Sequence, residues 1–544
     1  MEGTELAQAV AEYPSVRAAA RGLGIPEATI RRRLKQVDAA EQVPNYAFKP
    51  SDEHLPDSHV GPDGVKTVDF WAEHEGVQRY ILTSAQNNTR VHQGFLKNLE
   101  AFSKAMDARM LVSFSVYDKA GYRGPVPKGE RTQHKREVWW DKAIMPYVVN
   151  DRVKLARRLA FCSELDVLAT TRNPLSGLDS YCGRSSFIVP HNKFEFRCVE
   201  ARKNHMPKEM YTTGSITERN FIQRKTGQLA SFHHVLGALM VEVMPDGYWH
   251  VHHLNADDDG SFYWLDHYVA NGRVRRNKQG ITALIVGDIH HEKMDPKVAE
   301  RTFSDRDSIV KTLKPDRLFL HDLIDFSSRN HHNRADPEHR AYYRRQRQDV
   351  AGEVWSSGRF LAGLAKQVPE VVVVPSNHHE AMRKWVHETD WREDVENADI
   401  YLATARAMLQ HAERHGVSNR LDPLQWAITN YCGIDLPQSV RFLEEDERYE
   451  LCGVECGMHG HIGPSGSRGT PANLSKLPFK TFTAHTHTPS IKNGCYTVGL
   501  TGQLDLGYNR GPSKWMHAHG ILYPNGKRAF VFVKNGRWRA EEGG

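Results

Sequence analysis

Apolar and polar positions along the 544 residues change rhythm several times, and each change predicts a different kind of element. Near the N-terminus the spacing is helical. A short helix is expected from Thr4, and a second runs through Val16, Ala19 and Ala20. A turn at Gly22-Leu23-Gly24 leads to a third helix after Pro26, with Ile30 and Leu34 facing back. Small Ala20 and permissive Gly24 let the last two helices approach, which predicts a helix-turn-helix over residues 1–40. Residues 41–68, dense in Asp, Glu, Pro and Gly, read as a linker.

From 69 to 278 the rhythm alternates. Tyr80–Thr83 reads as a strand, His92–Met106 as an amphipathic helix and Met110–Val116 as a strand, a βαβ-like pattern that predicts an α/β middle domain. The Asn271-Gly272 turn then precedes the apolar run Ile281–Val286, where a second α/β unit is expected to fill 279–544. Within that unit, residues about 381–435 turn helical, with Ile400, Leu402, Ala405, Met408 and Leu409 expected on one face.

Composition narrows the class without deciding it. A chain of this length calls for three or four cores, and with 40% hydrophobic and 25% charged residues it reads as globular. No apolar run approaches the roughly 18 residues a membrane span needs, and no leader pattern opens the chain, so a cytoplasmic protein without a membrane partner is expected. Seven cysteines without framework spacing read as free thiols; Cys452 and Cys456 lack a second pair that would complete a structural zinc site. A net charge of +6 permits a polyanionic partner.

The chemistry lies at the ends of the apolar runs in the C-terminal half. Ala283–Val286 leads into Gly287-Asp288-Ile289-His290, and Arg317–Leu320 into His321-Asp322-Leu323-Ile324-Asp325. Val371–Val374 leads into Pro375-Ser376-Asn377-His378-His379. Gly457-Met458-His459-Gly460-His461 and Phe482-Thr483-Ala484-His485-Thr486-His487 complete the series. Imidazoles and carboxylates delivered together at strand ends suit manganese, iron or zinc, and one carboxylate can bridge two cations.

In order and residue type these five segments resemble the signature motifs of the calcineurin-like metallophosphoesterases, over about residues 280–535. The resemblance implies a four-layer αββα domain with Asp288, His290 and His487 on one metal, Asn377, His459 and His485 on the other, and Asp322 bridging. His461 remains an alternative to His459. His378 would steady the phosphate and protonate the leaving oxygen, and Asp325 would orient a ligand. Two divalent ions are expected, manganese first, with iron, zinc or magnesium as alternatives. The sequence departs from the motifs at His321, Ser376 and Ala484, where glycine is usual, and at His379, where an acid is usual; bulky His321 is expected to reach substrate.

Other residues bear on the substrate. Arg329, His331, His332 and Arg334, and Arg468 in the loop 463–469, are candidate phosphate contacts. Arg31, Arg32, Arg33 and Lys35 lie on outward faces of the third N-terminal helix and are candidate DNA contacts. Joined to the motifs, they point to a DNA nuclease, similar at the motifs to SbcD-type DNA-repair nucleases and to bacteriophage early proteins that degrade host DNA; a phage origin would put it in the host cytoplasm. Two other readings stay open: a phosphatase or nucleotide phosphodiesterase, and a DNA-binding regulator with a structural metal site. Self-association is also open. The loop Ser84–Thr89 is balanced between a ligand loop and a capping turn, and His250, His252 and His253 with Asp257–Asp259 read as strand and turn rather than a second metal site.

Overall fold

The computed structural model describes residues 16–30, 58–61, 63–71, 76–117, 138–202, 205–329, 336–346 and 349–540. The helix expected from Thr4, most of the linker, and Leu34 with the basic cluster Arg31, Arg32, Arg33 and Lys35 lie outside these residues, as do His331, His332 and Arg334. Of the N-terminal unit, the helix Val16–Leu23 is present, Gly24 takes φ +65°, and the Pro26 carbonyl accepts from Thr29 and Ile30 to open the next turn.

The chain is a mixed α/β protein of several sheets and helices. The predicted βαβ unit is there: strand Gln78–Gln86 runs parallel to Ala108–Ser115, and helix Gln93–Ala105 connects them. The His92 ring caps that helix by accepting from the Phe95 N–H at 3.0 Å. Antiparallel strands Gly237–Val243 and Trp249–Asn255 extend this sheet on the other side.

A six-stranded sheet carries the C-terminal half. Its order is Val440–Phe442, Glu370–Val373, Arg317–Leu320, Ala283–Ile285, Ala518–Leu522, Arg528–Phe532, the first four parallel and the last two antiparallel. Its inner strands are largely apolar because both faces are covered, with Arg317, Glu370 and His519 as the exceptions. Leu284, Leu318, Leu320, Val371 and Val373 pack with Val354 and Leu361 of the helix Val350–Leu364. Ala283, Ile285, Phe319 and Val372 face the other way and share a core with Val454, Phe482 and Tyr496 of a second, twelve-stranded sheet.

That second sheet crosses the predicted boundary at 278. It runs from Ser58–Val60 through strands of residues 66–212 to Ser490–Lys492, Cys495–Thr497, Lys480–Thr483, Val454–Glu455 and Glu450–Leu451, joined where Phe196 pairs with Ile491. The two stretches therefore share one sheet and one core.

The helices Asn377–Glu388, Ala398–His415 and Pro423–Trp426 occupy the expected helical stretch. The buried stripe differs from the prediction: Ile400, Tyr401 and Thr404 face inward, whereas Leu402 and Leu409 are exposed. Ser84–Thr89 is not an open ligand loop, because Gln86 Nε2 bonds Asn220 O and Thr89 Oγ1, and Asn87 Oδ1 accepts from the Tyr117 N–H. His250, His252 and His253 are buried on strand Trp249–Asn255, and His252 Nε2 lies 3.5 Å from Glu242. Among the described residues no metal-holding group includes them, nor Cys452 or Cys456, and all seven cysteines are free. No described helix is long and apolar enough to cross a membrane.

Candidate metal centre

Five strands end beside one another and release the polar residues at their carboxyl ends. Asp288 follows Ala283–Ile285, Asp322 follows Arg317–Leu320, and Asn377 follows Glu370–Val373, three parallel neighbours of the six-stranded sheet. His459 and His485 follow Val454–Glu455 and Lys480–Thr483, parallel neighbours of the facing sheet. The backbone turns sharply at these ends. His290, Asp322, His485 and His487 take φ of 46°, 45°, 68° and 54°, a left-handed conformation that costs a side-chain-bearing residue roughly 1–3 kcal/mol and persists only where the surroundings impose it. They do so through cross-strand bonds: His290 N–H to Asp322 O at 2.7 Å, and Asp288 N–H to Gly499 O at 3.0 Å. Gly287 is required next to Asp288, because a Cβ there would lie 2.8 Å from the carbonyl oxygens of Ala518 and Gly499.

Asp288, His290, Asp322 and His487 each offer a donor atom within 4.8 Å of the others, and all four are buried. His487 Nε2 is 3.2 Å from Asp288 Oδ2 and 3.1 Å from His290 Nε2. Asp322 Oδ2 lies between two imidazoles, 3.6 Å from His290 Nε2 and 3.4 Å from His459 Nε2. His459 extends the cluster: its Nε2 is 3.1 Å from Asn377 Oδ1, and its ring centroid is 5.2 Å from that of His485. All seven residues singled out from the sequence thus meet at one place. His461 stands beside them, its ring 5.3 Å from His459 and 6.0 Å from His485.

Both oxygens of Asp288 and Oδ1 of Asp322 are buried with no hydrogen-bond partner. Unpaired buried carboxylates are costly, so donors of this kind facing one another fit a cation. The protonation pattern agrees. Burial holds the His459 imidazole well below its ordinary pKa and pulls His485 and His487 to about 4, keeping them neutral, the form that ligates metal. Burial and the neighbouring Asp322 push Asp288 well up. Burial opposes the charge on Asp322 as well, but His459, His378 and His290 outweigh it and hold that carboxyl well below its usual range. His378 is the exception among the imidazoles: burial disfavours its cation, yet Asp322 and Asp325 raise its pKa.

A ring of supporting groups surrounds the cluster. Asp325 Oδ1 sits 3.0 Å from His290 Nδ1, its Oδ2 sits 3.0 Å from Lys293 Nζ, and its carbonyl is 2.9 Å from His378 Nδ1. The departures from the motifs fall in this ring. Ser376 caps the helix Asn377–Glu388 by accepting from His379 N–H, and His379 Nε2 accepts from Leu323 N–H, next to Asp322. His321, expected to reach substrate, is instead fully buried, its ring 5.5 Å from His459. Three supports carried no motif signal: Lys293, Trp515, whose ring packs 4.4 Å from His487, and His519, whose Nδ1 accepts from Gly287 N–H at 3.0 Å. A histidine inside the otherwise apolar run Ala518–Leu522 was the one trace of the last.

The candidate substrate contacts divide. Arg468 is exposed at the end of the loop 463–469, and its charge is felt by His485. Arg329 points elsewhere: its guanidinium is clamped by both oxygens of Asp394, which also accepts from Trp385 Nε1 and Asn397 Nδ2, so it serves the fold. No protein-family model matches the chain, and no solved structure matches it. It is 37% identical over 485 residues to Protein A1 of Escherichia phage T5, an overlap that covers 87% of this chain and 85% of that protein. The chain belongs to the family of that phage protein.

Proposed function

We propose that the chain is a two-metal phosphodiesterase of the calcineurin-like type, with a four-layer αββα catalytic unit, that hydrolyses DNA. The observation that carries the reading is the convergence of seven ligand-type residues from five strand ends in two facing sheets: Asp288, His290, Asp322 and His487 form a buried group with unpaired carboxylate oxygens, and His459 joins it to half-buried Asn377 and His485. Asp288, His290 and His487 would hold one ion and Asn377, His459 and His485 the other, with Asp322 between them. When bound, two such cations acidify a water and neutralise phosphoryl oxygens; manganese suits the mixed donor set, and iron, zinc and magnesium are the alternatives.

The chain's own residues supply the rest. His378, its Nδ1 placed by the Asp325 carbonyl and its cation favoured by Asp322 and Asp325, gives a proton to the leaving oxygen. Arg468 meets the substrate phosphate. The basic residues Arg31, Arg32, Arg33 and Lys35 add DNA contacts as part of a helix-turn-helix, and the phage relative favours action in the host cytoplasm.

Manganese-dependent cleavage of plasmid and oligonucleotide DNA tests this. Cleavage should fall by at least about a hundredfold in Asp322→Ala and His378→Ala. No cleavage by the wild type, or equal cleavage by the variants, would sink the reading. A cavity of about 400 Å³ beside His459 and His461 favours a second reading, a nucleotide-sized ester as substrate. Faster turnover of an aryl phosphate or cyclic nucleotide than of DNA would select it, and DNA binding that survives chelation with no ester hydrolysed would select a regulator.

A further inference from the structure

A second and larger cavity, about 850 Å³, lies where residues of the stretch 69–278 face residues of 279–544. Its lining holds seven lysines and arginines but only two carboxylates, Asp258 and Glu450. Two of the cations are built into the floor. Lys193 Nζ donates to Arg172 O and Asn493 Oδ1, both at 2.7 Å, and Arg528 donates to the carbonyls of Thr481 and Gly494 at 2.8 and 2.7 Å. These hydrogen-bond partners are neutral, and the carboxylate that eases the Lys193 charge, Glu195, stands outside the lining of the cavity. Arg172, Lys476 and Lys480 are exposed and form no ion pair among the described residues. The crowding registers electrostatically: beyond the effect of burial, neighbouring cations further depress Lys193, His233 and Lys480.

The cavity is also tied to the metal centre. Phe479 lines both it and the smaller pocket containing His459 and His461. Lys480 opens the strand Lys480–Thr483, and His485 follows two residues beyond that strand's end, so this cation and the ligand-type histidine are five residues apart in the chain and at most roughly 17 Å apart. Two aromatic side chains stand in the lining with open faces: Phe232 is 81% exposed and Phe479 is 45% exposed.

We infer that this cleft binds a nucleic-acid strand by its phosphates, with Arg172, Lys476 and Lys480 as contacts and Phe232 and Phe479 as stacking platforms, and leads it to the metal centre. Fixed cations give affinity that does not depend on sequence, and rings beside a cationic track accept any base. Binding rests on the cleft alone; delivery for hydrolysis rests on the phosphodiesterase reading.

The test uses the full chain and a labelled single strand of about 20 nucleotides, bound in EDTA at several salt concentrations. The triple variant Arg172→Glu, Lys476→Glu, Lys480→Glu should lose at least about tenfold in affinity. Its plot of log affinity against log salt should flatten by about 2, at roughly 0.7 per phosphate contact. Turnover of bis(p-nitrophenyl) phosphate with manganese should stay at the wild-type rate, since so small a diester bound at the candidate centre is too short to touch Arg172, Lys476 or Lys480. Wild-type affinity and slope in the variant would overturn the inference, as would displacement of the strand by polyglutamate as effective as by unlabelled DNA. Should the triple variant not fold, the single Gln substitutions serve, each expected to flatten the slope by about 0.7 and unchanged slopes overturning the cleft. A wild type that binds the strand but hydrolyses no diester would sink the phosphodiesterase reading and leave the cleft standing.

Discussion

Asp325 is the most informative single position around the candidate centre, because it faces His290 and His378, with which it forms a second buried group able to hold a metal ion, and on the proposed reading it orients His290. Its carboxylate faces His290 Nδ1 and Lys293 Nζ at 3.0 Å each and accepts from the Ser327 hydroxyl, and burial leaves no water to take its place. Asp325→Asn keeps the shape and removes the charge. Loss of such an outer partner of a metal-ligating histidine weakens metal binding or activity by about 10- to 100-fold, which is roughly 1.4–2.7 kcal/mol at about 1.36 kcal/mol per decade. A second cost is separable. Lys293 is left as a largely buried cation without its counter-charge, and breaking a buried pair in this way costs about 3–5 kcal/mol of stability, less whatever Lys293 recovers through its bond to Leu506 O. Adding Lys293→Met should restore much of the stability but none of the metal affinity. The assay is a manganese titration of small-diester turnover beside a urea melt for wild type, Asp325→Asn and the double variant. Manganese affinity and turnover within twofold of wild type in Asp325→Asn would refute the placement of Asp325 as the group that orients His290.

Gly287→Ala should lower stability by about 1–3 kcal/mol in a urea melt, because the new Cβ meets two backbone carbonyls at 2.8 Å that cannot swing aside; a wild-type midpoint would refute the packing argument. Arg329→Ala should cost about 3–5 kcal/mol by stranding Asp394 and should leave small-diester turnover per folded molecule unchanged, whereas lost turnover at wild-type stability would return Arg329 to the substrate. His519 predicts a pH dependence. Burial holds its pKa near 3, so below about 6.5 the unfolded chain takes up a proton that the folded chain refuses, and stability is lost as pH falls from about 6.5 toward 3. His519→Gln should therefore flatten the slope of stability against pH in that window by up to about 1.4 kcal/mol per unit relative to wild type, and parallel slopes would refute it.

Local rhythm made the βαβ unit and the five strand ends readable, since a period of two or 3.6 is a property of neighbouring residues and a ligand at a strand end is set by the strand before it. The stripe on the helix Ala398–His415 misled because its apolar residues allow more than one face, and the packed one includes Thr404, a polar residue that no apolar pattern selects. Pairings between distant segments were not readable at all. Phe196 meets Ile491 across nearly three hundred residues, and nothing in two short strands announces that they will share a sheet. The same limit explains what was legible in the site. The seven ligand-type residues follow one another in motif order, whereas their supports enter from elsewhere: Lys293 from the turn after His290, His519 from a returning strand, Trp515 from the segment before it. The departures at Ser376 and His379 make sense only against that assembled ring. The serine caps the helix that presents Asn377, and the histidine ties that helix to Leu323 beside Asp322, so the two substitutions together brace two ligand loops against each other. The cationic cleft is the extreme case. Arg172, Lys193, Lys476, Lys480 and Arg528 form no run in the sequence, and they line one cavity only because the six-stranded sheet that carries Arg528 packs against the twelve-stranded sheet that carries Lys480.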